Sequence, residues 1–112
     1  MCIFCKIVNK EIPAKVVLEE DDLIAFHDLN AQAPTHVLII PKRHIVGLGE
    51  VAPEDGVVLG NLLLAARKVA VATGIEKSGF RTVVNSGRDA GQTVFHLHVH
   101  VIGGRPMTWP PG

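Results

Sequence analysis

Phe95-His96-Leu97-His98-Val99-His100-Val101-Ile102 alternates imidazole with apolar side chains, and the reading of that alternation decides the fold. On a helix, a spacing of two throws His98 nearly opposite His96 and His100. On a strand successive side chains alternate, so all three rings share one face, with their Cβ atoms about 6–7 Å apart. Phe95, Leu97, Val99 and Val101 then share the other face and can pack beneath a helix. The β-branched neighbours favour the strand. A half-buried strand whose polar face happens to carry histidine would look the same locally. Mutually close imidazoles resist charging together and gain nothing in packing, however, so the cluster points to function.

Working outward, Phe80 to Asn85 reads as a second strand, joined to the first through the Gly-rich loop Ser86 to Gln92. Upstream, Glu54 to Thr73 is a long helix. Pro53 and Glu54 suit its first turn, Leu59, Leu62, Leu63, Ala66, Val69 and Ala70 form an apolar stripe, and Gly74 stops it. His36 to Ile40 is a β-branched strand ended by Pro41. Lys15 to Glu19 and Leu23 to His27 form a hairpin about the acidic turn Glu20-Asp21-Asp22. Ile3 to Lys10 makes one or two helical turns before Pro13. The order predicts an α+β domain: an antiparallel sheet of about five strands, one long helix on one face and a short N-terminal helix. No repeat or linker divides residues 1–112, so one domain is expected.

Apolar residues make up 47% of the chain, which excludes a disordered polymer. Eleven acidic and eleven basic side chains cancel, which argues against a nucleic-acid polymer or an anionic membrane as partner. The chain shows neither a long apolar span nor a signal peptide, so the expected location is cytoplasmic, where thiols stay reduced.

Three imidazoles on one face suit a metal, or phosphate chemistry with one ring as nucleophile and the others as donors. The loop Asn85-Ser86-Gly87-Arg88-Asp89-Ala90-Gly91-Gln92-Thr93 favours phosphate. Its glycines let backbone N–H groups approach an anion, and its amides and hydroxyls are donors, although an ordinary hairpin loop has the same composition. A metal hydrolase would want a carboxylate beside the histidines, and only Asp89 is near in sequence.

With these residues the chain resembles the histidine-triad family, whose signature is His-x-His-x-His followed by two apolar residues, here His96 to Ile102. The similarity looks like the Hint branch of purine nucleoside phosphoramidases and covers almost the whole chain. Supporting segments are Ile3-Phe4-Cys5-Lys6-Ile7, Glu11-Ile12-Pro13-Ala14-Lys15, Ala25-Phe26-His27-Asp28 and Ala33-Pro34-Thr35-His36. Val83-Val84-Asn85, Gly91-Gln92-Thr93 and Trp109-Pro110-Pro111-Gly112 continue the match. The resemblance implies hydrolysis of phosphoramidates such as AMP joined to an amine, and of aminoacyl adenylates, with no cofactor needed for catalysis.

On that pattern His98 attacks the α-phosphorus and is transiently nucleotidylated, while the carbonyl of His96 holds its other nitrogen as N–H. His100 donates to phosphate, and His36 helps pass a proton to the leaving amine. Asn85 and the amides around Gly91, Gln92 and Thr93 cradle phosphate. Asp28 binds ribose, and Ile3, Phe4, Ile7, Phe26, His27 and Leu29 surround the base. Thr93 stands where the Hint branch usually has serine, keeping the hydroxyl but restricting its rotamers. His100 separates the chain from the nucleotidyltransferase branch, which has glutamine there. The dinucleoside polyphosphate hydrolases lack the Trp-Pro-Pro-Gly ending and are the alternative within the family. A nucleotide-binding scaffold with little turnover is the alternative outside enzymology.

Cys2 and Cys5 form Cys-x-x-Cys. A redox dithiol expects a strand before the motif, and there is no room for one. A zinc site needs two more ligands, and His44 is available. Some bacterial family members bind zinc through such a pair plus two histidines, which implies a structural Cys2, Cys5, His44, His96 site; free thiols are the alternative. The family also implies a homodimer in which the Trp109 tail reaches the partner's active-site edge, in keeping with aromatic anchors at interfaces.

Overall fold

The computed structural model describes residues 2–112, with five antiparallel strands at their centre. They are Val16–Glu19 (β1), Leu23–His27 (β2), Thr35–Pro41 (β3), Phe80–Val83 (β4) and Val99–Gly103 (β5), ordered β1-β2-β3-β5-β4. The last strand is thus inserted between its predecessors. The expected hairpin forms, with Glu20 N–H donating to Leu23 O at 2.9 Å across the acidic turn. Ile3–Val8 is α1 and Gly56–Thr73 is α2. Gly74 ends α2 in the left-handed conformation (φ 78°), which glycine adopts without strain.

Alternation along the strands sorts two cores. Leu23, Ala25, Val37, Ile39, Val99 and Val101 face α2, meeting Leu62, Ala65, Ala66, Val69 and Ala70. Ile24, Phe26, Leu38 and Ile40 face the other way and are covered by Phe4 and Ile7 of α1. The second face also carries the site, because β3 and β5 pair Leu38 with His100. Each side chain fully buried here stabilises the fold by roughly 1.5–3 kcal/mol, so six-residue α1 is held by its contacts more than by its own helicity.

Several boundaries differ from expectation. Regular α-helix begins at Gly56 because Pro53–Asp55 makes a 3₁₀ turn, in which Asp55 accepts the Ala52 N–H at 2.8 Å. Leu63 leaves the expected stripe and is 58% exposed, its buried place taken by Ala65. Pro53–Thr73 is also long and apolar enough to cross a bilayer (mean hydropathy 1.4), which overturns the expectation of no long apolar span. Here its buried side packs on the sheet.

The most consequential difference is that β5 begins at Val99, not Phe95. Pairing with β3 runs up to Ile39 opposite Val99, and the next residues of β3 end at Pro41, which has no N–H to give. β4 likewise stops at Val83, short of the expected Asn85. Residues 95–98 therefore leave the ladder, Leu97 donating its N–H to Ile45 O at 2.6 Å instead. Leu97, Val99 and Val101 are buried toward α2 as expected, whereas Phe95 is half exposed.

Candidate active site and metal centre

Leaving the ladder at residue 98 brings the side chain of His98 back onto its own backbone. Its Nδ1 lies 2.7 Å from the carbonyl oxygen of His96. A carbonyl only accepts, so Nδ1 carries the proton, and the neutral ring has its lone pair on Nε2. Phe4 packs against the ring edge-to-face, centroids 5.2 Å apart, and His98 is 8% exposed. The result is an imidazole of fixed orientation with its free nitrogen in the geometry of a base–orienter pair.

His100 lies beside it, ring centroids 5.0 Å apart, and meets His36 of β3. His36 Nδ1 accepts the backbone N–H of Gln32 at 3.0 Å, and His36 Nε2 lies 2.8 Å from His100 Nδ1. His100 Nε2 is buried with no hydrogen-bond partner among the described residues. Burial, reinforced by His98 and His36, holds the pKa of His100 down at about 4, with Asp28 opposing. Burial lowers His36 in the same way, again against the pull of Asp28. Both rings are therefore neutral near pH 7. Asp28 is the carboxylate near the histidines, its Oδ2 being 3.4 Å from His36 Nε2. Asp89, the one near in sequence, points to solvent and pairs with Arg88. Both nitrogens of His36 are engaged, so a proton it supplies must travel through His100.

A cavity of about 160 Å³ opens between α1 and the end of β2. Ile3, Phe4, Ile7, Phe26, His27, Asp28 and Leu29 all line it, as do Lys15 and Leu38, which sequence reasoning passed over. Leu29 is 99% exposed at the rim, so it walls the mouth and not the floor. Lys15 falls within the segment Glu11 to Lys15 that carries the resemblance, and Leu38 shares the alternation of β3 with His36.

The loop after β4 departs from expectation. The amides of Gly91 and Gln92 do not stand free: they donate to Arg88 O at 3.0 Å and Gly87 O at 3.1 Å. The buried side chain of Gln92 is also spent. It accepts from Gly87 N and donates to Val46 O, both at 2.9 Å, and to Val94 O at 3.2 Å. Gly47 permits this, since a Cβ there would come within 3.1 Å of the Gln92 amide. Gln92 thus staples the loop, and of the polar side chains expected to cradle an anion Asn85 is half-buried and Thr93 exposed.

The ring of His96 stands apart from the other two. Alternation places it with His98 and His100, and it too packs against Phe4 (centroids 5.9 Å), but its nitrogens turn to Pro41 and to the side chains of Cys2, Cys5 and His44. Its Nε2 donates to Pro41 O at 2.8 Å, leaving the Nδ1 lone pair facing Cys2 Sγ at 3.3 Å, Cys5 Sγ at 3.6 Å and His44 Nδ1 at 3.2 Å. The remaining distances are Cys2 Sγ–Cys5 Sγ 3.1 Å, Cys2 Sγ–His44 Nδ1 3.5 Å and Cys5 Sγ–His44 Nδ1 3.2 Å. Four donors with near-equal edges define a tetrahedron whose centre is about 2.0 Å from each, close to Zn–N and slightly inside Zn–S lengths. Burial, with His44 and His98 adding to it, lowers the pKa of His96, so the ring is the neutral form a metal requires. Burial and the adjacent Cys2 raise that of Cys5, so binding a cation there would release protons. The set fits zinc.

In the tail the carbonyl of Thr108 accepts from Arg81 Nη2 at 3.0 Å, and Trp109 beyond it is 82% exposed.

A HIT domain family model matches residues 9–107. The chain is 54% identical over 110 residues to an uncharacterized HIT-like protein of Synechocystis sp., covering 98% of this chain and 96% of that protein. It is 49% identical over 112 residues to the 14 kDa zinc-binding protein of Zea mays, covering 98% and 87%. Among solved structures, a HIT family hydrolase of Legionella pneumophila superposes with a TM-score of 0.97 at 50% identity, covering all of both chains.

Proposed function

Because this chain belongs to the HIT domain family, we propose that it is a nucleotide hydrolase that cleaves the P–N bond of purine nucleoside phosphoramidates, with His98 as nucleophile. The observation that carries this reading is the 2.7 Å bond from His98 Nδ1 to the His96 carbonyl, which leaves Nε2 as a lone pair. Attack of that lone pair on the α-phosphorus breaks the P–N bond. The departing nitrogen takes the His100 Nε2 proton while solvent returns one to the His36–His100 pair, so the amine leaves neutral and both rings end neutral. Water then cleaves the phosphorus–His98 bond to release the nucleotide. His100 Nε2–H donates to a phosphate oxygen, Asn85 and Thr93 add donors, and Asp28 takes the ribose at the mouth of the apolar cavity.

The same reading assigns zinc to Cys2, Cys5, His44 and His96, in keeping with the zinc-binding name of the maize relative. Four protein ligands leave no open position, so the ion supplies a structural tie and no Lewis acid for the reaction. His96 serves both centres: its ring faces the metal ligands while its carbonyl orients His98. The exposed Trp109 supports a homodimer in which the tail reaches the partner's site.

The test is AMP release from adenosine phosphoramidate by wild type and His98→Ala, with rapid quenching to trap an adduct. Turnover should fall by several orders of magnitude in the variant while AMP still binds. An adduct should form on His98 alone. Near-normal turnover by a contamination-free variant would overturn the assignment. Preference for dinucleoside polyphosphates would move the protein to that branch, and tight AMP binding without turnover would make it a scaffold.

A further inference from the structure

The His36–His100 hydrogen bond can run in either direction. If His36 Nε2 donates to His100 Nδ1, neutral His100 keeps its proton on Nε2. In the reverse direction His100 Nε2 carries a lone pair. Only the first places a donor at the buried nitrogen that meets no acceptor among the described residues. The second would face a lone pair toward any anion bound there.

The direction is set from outside the pair. An amide N–H cannot accept, so the backbone of Gln32, 3.0 Å from His36 Nδ1, holds that nitrogen as an acceptor and the proton on Nε2. The Asp28 carboxylate, 3.4 Å from His36 Nε2, favours a proton on the same nitrogen. Gln32 lies in the exposed turn between β2 and β3, and its carbonyl takes both Nε (3.2 Å) and Nη2 (3.0 Å) of Arg105. Arg105 lies two residues beyond the end of β5, the strand that carries His100. The turn it belongs to presses on the same loop: a Cβ at Gly104 (φ 91°) would come within 2.9 Å of Pro34. Arg105 pairs with no carboxylate among the described residues; its remaining bond is to Pro106 O. A guanidinium fork spent on peptide carbonyls fixes backbone geometry more than it balances charge.

We propose that Arg105, acting through the Gln32 peptide, is a positioning residue that fixes His36 and His100 in the tautomers leaving an N–H at His100 Nε2. The inference rests on the hydrolase reading only in taking phosphate oxygen as the acceptor of that N–H.

Imidazole tautomers are read directly by long-range ¹H–¹⁵N spectra of the full-length labelled protein without ligand. His36 and His100 should both appear as Nε2–H in wild type. Arg105→Ala should turn both into mixtures. Replacing Gln32 by its α-hydroxy acid, which deletes the single N–H and keeps the Arg105 contacts, should do so more completely and guards against misfolding of the first variant. On adenosine phosphoramidate, R105A should lower kcat about fivefold with KM unchanged, the scale of one neutral hydrogen bond, while R105K, which keeps one donor, stays within about twofold of wild type. An Nδ1–H His100 in wild type, or unchanged tautomers in both variants, would overturn the proposal. Because the tautomers are measured on free protein, a wild type without turnover would sink the hydrolase reading and not this one.

Discussion

Acid should cost this fold stability through His100, and the size of the effect follows from its surroundings. Burial beside His98 and His36 holds the ring at about 4 in the fold, against its ordinary 6.5 in the unfolded chain. Between those values the unfolded chain binds a proton that the folded chain refuses. Stability is therefore undiminished above 6.5, falls as pH drops toward about 4, and is flat with respect to this group below that. At about 1.4 kcal/mol per pH unit the loss reaches about 3 kcal/mol, a large share of the net stability of a small domain. His36 adds to the loss in the same direction. Urea unfolding of wild type and His100→Gln at pH values from about 7 to about 4 isolates the term, because protonation of carboxylates and of the metal ligands occurs in both proteins and cancels in the difference. The wild-type curve should fall more steeply, the gap changing by about 3 kcal/mol over that range. Parallel curves would show that His100 is not held neutral by burial, and the arrangement of donors derived for the site would fail with it.

Replacing Cys2 and Cys5 together by serine should abolish zinc binding, measured by elemental analysis, and lower the melting temperature while leaving activity within about tenfold of wild type. Loss of chemistry with the fold intact would make the metal catalytic. Gln92→Ala should cost about 1–3 kcal/mol, since it strands the Val46 carbonyl, and should speed hydrogen exchange at Gly87. An unchanged loop would show the staple to be idle. Deleting Trp109 to Gly112 should alter substrate preference more than stability, and light scattering of the intact protein should give a dimer; a monomer at micromolar concentration would remove the partner from the site.

Much of the architecture could be read from short-range pattern. The acidic turn, the β-branched runs, the apolar helix and its glycine stop act within a few residues of one another, and all appear in the fold. The resemblance implies the cavity residues Phe4, Phe26 and Asp28 and adds His96 to Cys2, Cys5 and His44 as candidate ligands, and the chain brings each group together. Alternation and β-branched neighbours favour a strand over residues 95–98, but both signals are local. A strand needs a neighbour that can donate, and Pro41 in β3 cannot. Likewise the glycines of the loop suggested free amides, whereas Gln92 and the loop's own carbonyls occupy them.

What the sequence determined by itself is the inventory and its local geometry: which side chains stand two, three or four residues apart, and on which face of a strand or helix they fall. That much depends only on backbone periodicity. Tertiary structure alone decided which way the ring of His96 turns, that Asp28 and not Asp89 joins the histidines, and which nitrogen of His100 holds its proton. Each of these rests on a partner far away in the chain: Pro41 O and the cysteines for His96, Gln32 and His36 for His100. A hydrogen bond takes its direction from the groups at both ends, and folding brings those ends together.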